Sequence, residues 1–290
     1  MSRQASPLGE TFTRLAGLDD LPSGFGPPGE PDWFPAAALA DPTSEQLAQS
    51  IARQAADYPH MDPRTRGAYF INMYGWYLPF PAIAAYLAER RVPNLAPEHV
   101  ALRYSTYTWH EDGASGEAKR LDVRFLSGQF ACLPDDPAAN HPDALVMPDK
   151  LALREWFRTT LEAHMAPIIE DVYAHTRLSR HAQWLLAADA CALRFLLTGR
   201  MLGDEEHAKA EGIAFVKAEG SPMNNPKTGY ISLQYRGHTE SFRARGGCCR
   251  YYTVSETGDD YCSTCVLRKP EERDERLLAY MQRTYEETTS

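Results

Sequence analysis

The sequence predicts an α+β fold, helix-rich with a small antiparallel sheet. Long segments carry apolar residues at helical spacing, separate stretches switch to period-two alternation, and four cysteines gather in a short polar segment near the C-terminus. With 290 residues, 43% of them hydrophobic, the chain can bury a core without staples. One unit is expected, read as an N-terminal arm and helical region (1–95), a main body of sheet and helices (96–245), and a cysteine segment with a last helix (246–290). The helical lobe would be separable near Pro93 to Pro97.

Up to Ala40 the chain is rich in Pro and Gly (LPSGFGPPGEPDWFP) and reads as an irregular arm that packs through Trp33 and Phe34. Asp41-Pro42-Thr43-Ser44-Glu45 suits a helix start, continued by Leu47, Ile51 and Ala55 toward Tyr58. Helix is expected again from Pro63 through Tyr69, Phe70, Met73 and Tyr77, and beyond Pro79 and Pro81 through Ile83 and Leu87. Between His99 and Leu126 apolar residues alternate on either side of Asp112-Gly113 and Ser115-Gly116, which reads as a hairpin. From Asp149 two long amphipathic helices follow, one through Leu153, Trp156, Phe157 and Leu161, the other from His181 to Leu202.

In the second of these helices Asp189 is flanked at helical spacing by Leu185, Leu186, Ala192 and Leu193. A carboxylate so placed needs a partner, because an unpaired buried charge costs on the order of several kcal/mol. A salt-bridged or capping role is expected rather than a catalytic one. After Gly212, Ile213 and Phe215 suggest a strand; Ile231, Leu233 and Tyr235 suggest another, with a turn at Arg236-Gly237-His238 and Phe242 beyond it. Pro270, Glu271 and Glu272 mark the start of a last helix with Leu277, Leu278, Met281 and Tyr285 on its apolar face.

The 30 basic and 39 acidic side chains leave a formal charge of −9, and no run of Lys or Arg could neutralise a phosphate backbone. Nucleic acid is therefore not expected as a partner. The N-terminal MSRQASPLGETFTRLAG lacks the apolar core of a signal peptide, and prolines or charges interrupt the most apolar stretches. No membrane segment and a cytoplasmic location are expected, where clustered cysteines point to metal or redox chemistry rather than disulfides. Cys132 and Cys191, in FACL and ADACAL, read as small core residues. No GxGxxG lies between a strand and a helix, which argues against a built-in nicotinamide or flavin site.

GGCCRYYTVSETGDDYCSTC, from Gly246 to Cys265, holds four of the six cysteines: Cys248-Cys249, twelve residues, Cys262, two residues, Cys265. Four thiolates could bind one Zn²⁺, hold a [2Fe–2S] cluster or form disulfides. A Cys-x-x-Cys turn lets both sulfurs reach one metal ion, but adjacent cysteines in an extended segment point to opposite faces and make a poor zinc knuckle. A two-iron cluster spreads its thiolate positions over two metal ions, and Gly246-Gly247 supplies the freedom for a sharp turn. From Ser241 to Pro270, Arg243, Arg245, Arg250, Arg268 and Lys269 outnumber Glu256, Asp259 and Asp260, the reverse of the whole chain. These cations would soften the charge of a four-thiolate centre and attract an anionic partner.

The stretch FRARGGCCRYYTVSETGDDYCSTCVLR, Phe242 to Arg268, resembles the C-terminal segment of the FhuF family of ferric siderophore reductases, in which a Cys-Cys pair and a later Cys-x-x-Cys hold a [2Fe–2S] cluster. IIEDVYAHTRLSRHAQWLLAADACALRFLL is similar to that family's helix with a Trp and an Asp among small residues. The gap between the pairs is slightly longer here, and Val266 stands where a proline usually follows. The resemblance implies an oxidoreductase with a C-terminal iron–sulfur segment. Cys248, Cys249, Cys262 and Cys265 would hold the cluster and pass one electron to an Fe(III)-siderophore, releasing Fe(II). The electron would come from an external donor such as a ferredoxin or a reductase. Arg243, Arg245 and Arg250 are candidates for contacting an anionic chelate, and Tyr251 or Tyr252 for a wall of its pocket. Two other readings stay open: a zinc- or cluster-bearing binding module or sensor, and an electron carrier whose partner is a protein.

Overall fold

A computed structural model describes residues 6–18, 23–111, 114–255 and 261–287. Asp112-Gly113 and the acidic residues Glu256, Asp259 and Asp260 lie outside the described residues. The first helix, α1 (Pro7–Leu15), is followed by the short strands β1 (Ser23–Phe25) and β2 (Phe34–Pro35). Three helices come next: α2 (Gln46–Arg53), α3 (Pro63–Tyr77) and α4 (Phe80–Glu89). Strands β3 (Val92–Pro93), β4 (Val100–Glu111), β5 (Ala114–Phe125), β6 (Phe130–Cys132) and β7 (Ala144–Val146) lead to α5 (Lys150–Thr176), α6 (Arg180–Leu202) and α7 (Glu205–Val216). The hairpin β8 (Gly229–Tyr235) and β9 (His238–Ala244) precedes the cysteines, and α8 (Pro270–Glu287) follows them.

The α+β architecture is as expected, but the strands form three small sheets, ordered β1-β5-β4-β2, β3-β6-β7 and β8-β9. Two contacts, β1 with β5 and β6 with β7, are parallel. Strands of two or three residues leave no alternation to read, which is why only the two long hairpins were legible. The first hairpin pairs Val100 with Phe125 through Glu111 with Ala114, so Ser115 and Gly116 belong to β5 rather than to its turn. The second closes on Arg236 and Gly237, whose φ values of 47° and 84° suit a two-residue turn.

Two expectations fail. The N-terminal arm is not irregular throughout: Ser6 caps α1, and Leu8, Phe12 and Leu15 bury one of its faces. The strand expected at Ile213 and Phe215 is the end of α7, which Asp204 caps and which buries Ala208, Gly212, Phe215 and Val216 at helical spacing. A pair of apolar residues two apart fits either period, and the carboxylates Glu205 and Glu206 in the first turn are the helix signal that decides it.

A continuous apolar cluster runs from Leu8 to Met223, with Cys249 packed against it. It lies on both sides of residue 95, where Val92 and Pro93 also pair with Ala131 and Phe130. Cys132 and Cys191 are fully buried in it, as their apolar neighbours require, and burial pushes their thiols up to about 11 and about 12. Helix α6 is buried along most of its length, from Gln183 to Gly199, and forms the floor on which the cysteine segment rests. Among the described residues no helix is long and apolar enough to cross a membrane.

Candidate metal centre

The centre begins at Asp189, in the buried middle of α6. One carboxylate oxygen accepts from the Thr228 hydroxyl at 2.7 Å and from the Gly246 amide at 2.8 Å; the other accepts from the Gly247 amide at 2.9 Å. Burial pushes this carboxyl upward, opposed by Arg243 and by the three donors. All three partners donate, and two are amides that cannot accept, so the geometry is that of the ionised form. The partner that the sequence demanded is thus the backbone immediately before the vicinal cysteines.

Gly246 and Gly247 serve contact rather than turning, which corrects their reading as a hinge. Neither has a positive φ. A Cβ on Gly246 would stand 2.3 Å from Asn225 Oδ1 and 2.4 Å from Thr228 Oγ1, and one on Gly247 would stand 2.9 Å from the Leu186 amide nitrogen. The chain turns at Arg250 instead, which adopts the left-handed conformation at φ 62°. Thr253 fixes that turn by donating its amide and its hydroxyl to the Arg250 carbonyl at 2.9 and 2.8 Å.

The four sulfurs belong to two short segments brought together by this arrangement, and none is in a disulfide. Arg250 and Tyr251 donate their amides to Cys248 and Cys249 respectively, each two residues on from its sulfur. Cys249 and Cys262 share one hydrogen-bonding contact, which with Arg245 and against burial holds the Cys249 thiol down and, with burial, pushes Cys262 up. Burial and the charges of Cys249 and Cys265 raise Cys248. In the second segment the Cys265 amide donates to the Cys262 carbonyl at 3.0 Å, closing the Cys-x-x-Cys turn. Arg268, nearly buried, donates to the Cys262 and Tyr261 carbonyls at 3.1 and 2.5 Å and pairs with Glu272 in the first turn of α8.

The proposed chelate contacts have other surroundings. Arg243 is only 8% exposed and donates to the Asp189 carbonyl at 3.1 Å; burial and the charge of Arg245 push it down to about 10, still protonated near neutrality. Its guanidinium supports the segment from beneath. Burial works against the charge of Arg245, but Cys262 and Cys249 raise it overall. Arg250 reaches away from the sulfurs, donating to Thr65 Oγ1 at 3.0 Å and pairing with Asp62, the residue that caps α3. Tyr251 is half-buried beside Cys249, and Tyr252 packs against Tyr261 with ring centroids 5.4 Å apart.

Sequence reasoning missed Asp62, Thr65 and Tyr69 of the α3 end. Thr65 Oγ1 lies 2.9 Å from Thr253 Oγ1, and burial with the charges of Cys249 and Cys262 raises the Tyr69 phenol. These residues lie so far upstream that no spacing rule connects them with the cysteines.

Among the described residues no group of three or more His, Cys, Asp or Glu is arranged to hold a metal ion. The donor set itself suits a sulfur-rich group. Four unbridged thiols lie beside two buried N–H donors, Arg243 Nε and Arg245 Nε, that have no hydrogen-bond partner in the described structure. Orphaned donors at such depth are uncommon, and thiolate or sulfide acceptors would satisfy them. No family model matches the chain, and no curated protein matches its sequence.

Proposed function

We propose that the chain is a ferric siderophore reductase, taking one electron from an external donor such as a ferredoxin or reductase and delivering it to chelated Fe(III). The observation that carries this reading is the approach of the Cys262–Cys265 turn to the Cys248-Cys249 pair, with Cys262 against Cys249, all four thiols free, Arg245 beside Cys249 and arginine donors left without partners. A [2Fe–2S] cluster on Cys248, Cys249, Cys262 and Cys265 would supply a one-electron carrier whose potential follows its charge, hydrogen bonding and exposure. Around it, Asp189 fixes the first cysteine pair to α6, Arg268 fixes the second to α8, and Arg245 offsets thiolate charge. The substrate iron is held by hard oxygen donors that suit Fe³⁺ far better than Fe²⁺, so its one-electron reduction releases it.

Absorption and EPR spectra of the isolated and dithionite-reduced protein, with iron and labile-sulfide analysis, test the reading. Expected are a coloured protein with two irons and two sulfides, and reoxidation of the reduced form by ferric siderophores. Replacing Cys249 by Ser should bleach it. A colourless protein holding zinc without sulfide would overturn the proposal in favour of a structural module. A reduced cluster that ferric siderophores leave reduced would favour an electron carrier.

A further inference from the structure

One face of α3 carries Thr65, Tyr69 and Met73 at four-residue spacing, so their side chains line up along the helix. Thr65 touches the cysteine segment through Thr253 and Arg250. Tyr69 and Met73, about 6 and 12 Å further along the axis at the helical rise, line a cleft of about 420 Å³ between the α2–α3 connection and the β4–β5 hairpin. That volume falls in the range of roughly 300–1,000 Å³ that small-molecule sites occupy. A single helix face therefore leads from the cysteines into the cleft.

Its walls are aromatic and soft: Tyr58, Tyr69 and Met73, with Tyr104 behind them, its ring stacked on Phe34 and covered by Arg53. Its rim is cationic. Lys119 pairs with Asp57 at 2.7 Å, which leaves Arg53 as the uncompensated charge. Arg53 lies over the Tyr104 ring, 4.7 Å from its centroid, and has no carboxylate partner among the described residues. The rings of Tyr58 and Tyr69 favour a planar aromatic ligand, and the Arg53 guanidinium, held over Tyr104 without a carboxylate, favours one that carries negative charge and oxygen acceptors.

We propose that this cleft binds the aryl arm of a ferric catecholate, a deductive step that rests on the reductase reading. Ferric tris-catecholates are aromatic and strongly anionic, so they match both features. Hydroxamate chelates are largely aliphatic, and their complexes carry little or no negative charge; they would use neither the ring faces nor Arg53.

Calorimetric titration of the full chain with the gallium(III) tris-catecholate complex tests this. Arg53 is exposed and Tyr58 is at the surface, so Arg53→Gln and Tyr58→Ala should leave the fold intact. Each is expected to weaken binding about tenfold, the loss of one charged or stacking contact of about 1.4 kcal/mol. Equal binding by wild type and both variants, or no binding by the wild type, would overturn the inference. So would a gallium hydroxamate that binds as tightly and depends on the same two residues. Gallium(III) is not reduced, so the titration reads the cleft alone. Gallium catecholate binding without ferric reduction would overturn the reductase reading only, whereas ferric reduction without gallium catecholate binding would overturn the cleft only.

Discussion

Replacing Asp189 by Asn keeps the volume of the side chain and removes half of its accepting capacity. The carboxylate now accepts from Thr228 and Gly246 on one oxygen and from Gly247 on the other. An amide oxygen can keep the first pair, but its NH₂ then faces the Gly247 N–H, donor against donor, 1% exposed within α6 and sealed by Leu185 and Leu186. A stranded buried donor costs about 1–3 kcal/mol, and weakening two bonds from charged to neutral costs about 1 kcal/mol more. Relief from burying a charge offsets part of this, leaving an expected loss of about 2–4 kcal/mol. In urea unfolding the midpoint should fall with an unchanged slope. Thr228→Ser, which keeps the hydroxyl, should cost less than half as much. A variant within about 0.5 kcal/mol of wild type would refute the idea that Asp189 anchors the double-glycine strand.

Gly247→Ala should lose at least about 2 kcal/mol, because its Cβ would meet the α6 backbone at 2.9 Å rather than a movable side chain; thermal unfolding checks it. Arg250→Gly should unfold at higher denaturant than Arg250→Ala, by about 1 kcal/mol, since both lose the link to Asp62 but only glycine is free of the left-handed penalty. Fully buried His164 donates from Nδ1 to the Leu95 carbonyl, which can only accept, so Nε2 accepts from the Tyr74 hydroxyl; burial lowers its pKa from 6.5 to about 4. On acidification the unfolded chain takes up this proton first, so stability should be full above pH 6.5 and fall by about 3 kcal/mol toward pH 4. Chemical unfolding should show about 2 kcal/mol of this loss between pH 7 and pH 5, and its absence would refute the assignment.

What the sequence revealed follows the range over which each interaction acts. The long helices α3, α5 and α6 and the two hairpins announce themselves by period, because one face of each meets a core. Asp189 announced a need but not its answer: its donors lie 39 to 58 positions away, and only the fold says which amides arrive there. The glycine pair was visible as an oddity and misread, because close packing and a left-handed turn both call for Gly and only the backbone angles separate them. Arg250 gave no signal, since arginine is not a usual residue for positive φ. Its conformation is set by Thr253, three residues on, and by Thr65 and Asp62 from the other end of the chain.

That turn resolves the difficulty posed by adjacent cysteines. In a straight strand Cys248 and Cys249 would face opposite sides, and amides two positions on could not serve both sulfurs. With Gly247 lying flat on α6 and Arg250 left-handed, the chain folds back just past the pair. The amides of Arg250 and Tyr251 then point at Cys248 and Cys249 in consecutive register. Hydrogen bonds of this kind stabilise negative sulfur and raise the potential of any centre it holds, while burial without them would lower it. The geometry at Arg250 therefore governs both the placement of the sulfurs and the charge they can bear, and Asp62 and Thr65 of α3 fix it from outside. The same helix lines the cleft through Tyr69 and Met73, so a ligand that shifts α3 would act on the cysteine turn through Thr65 and Arg250.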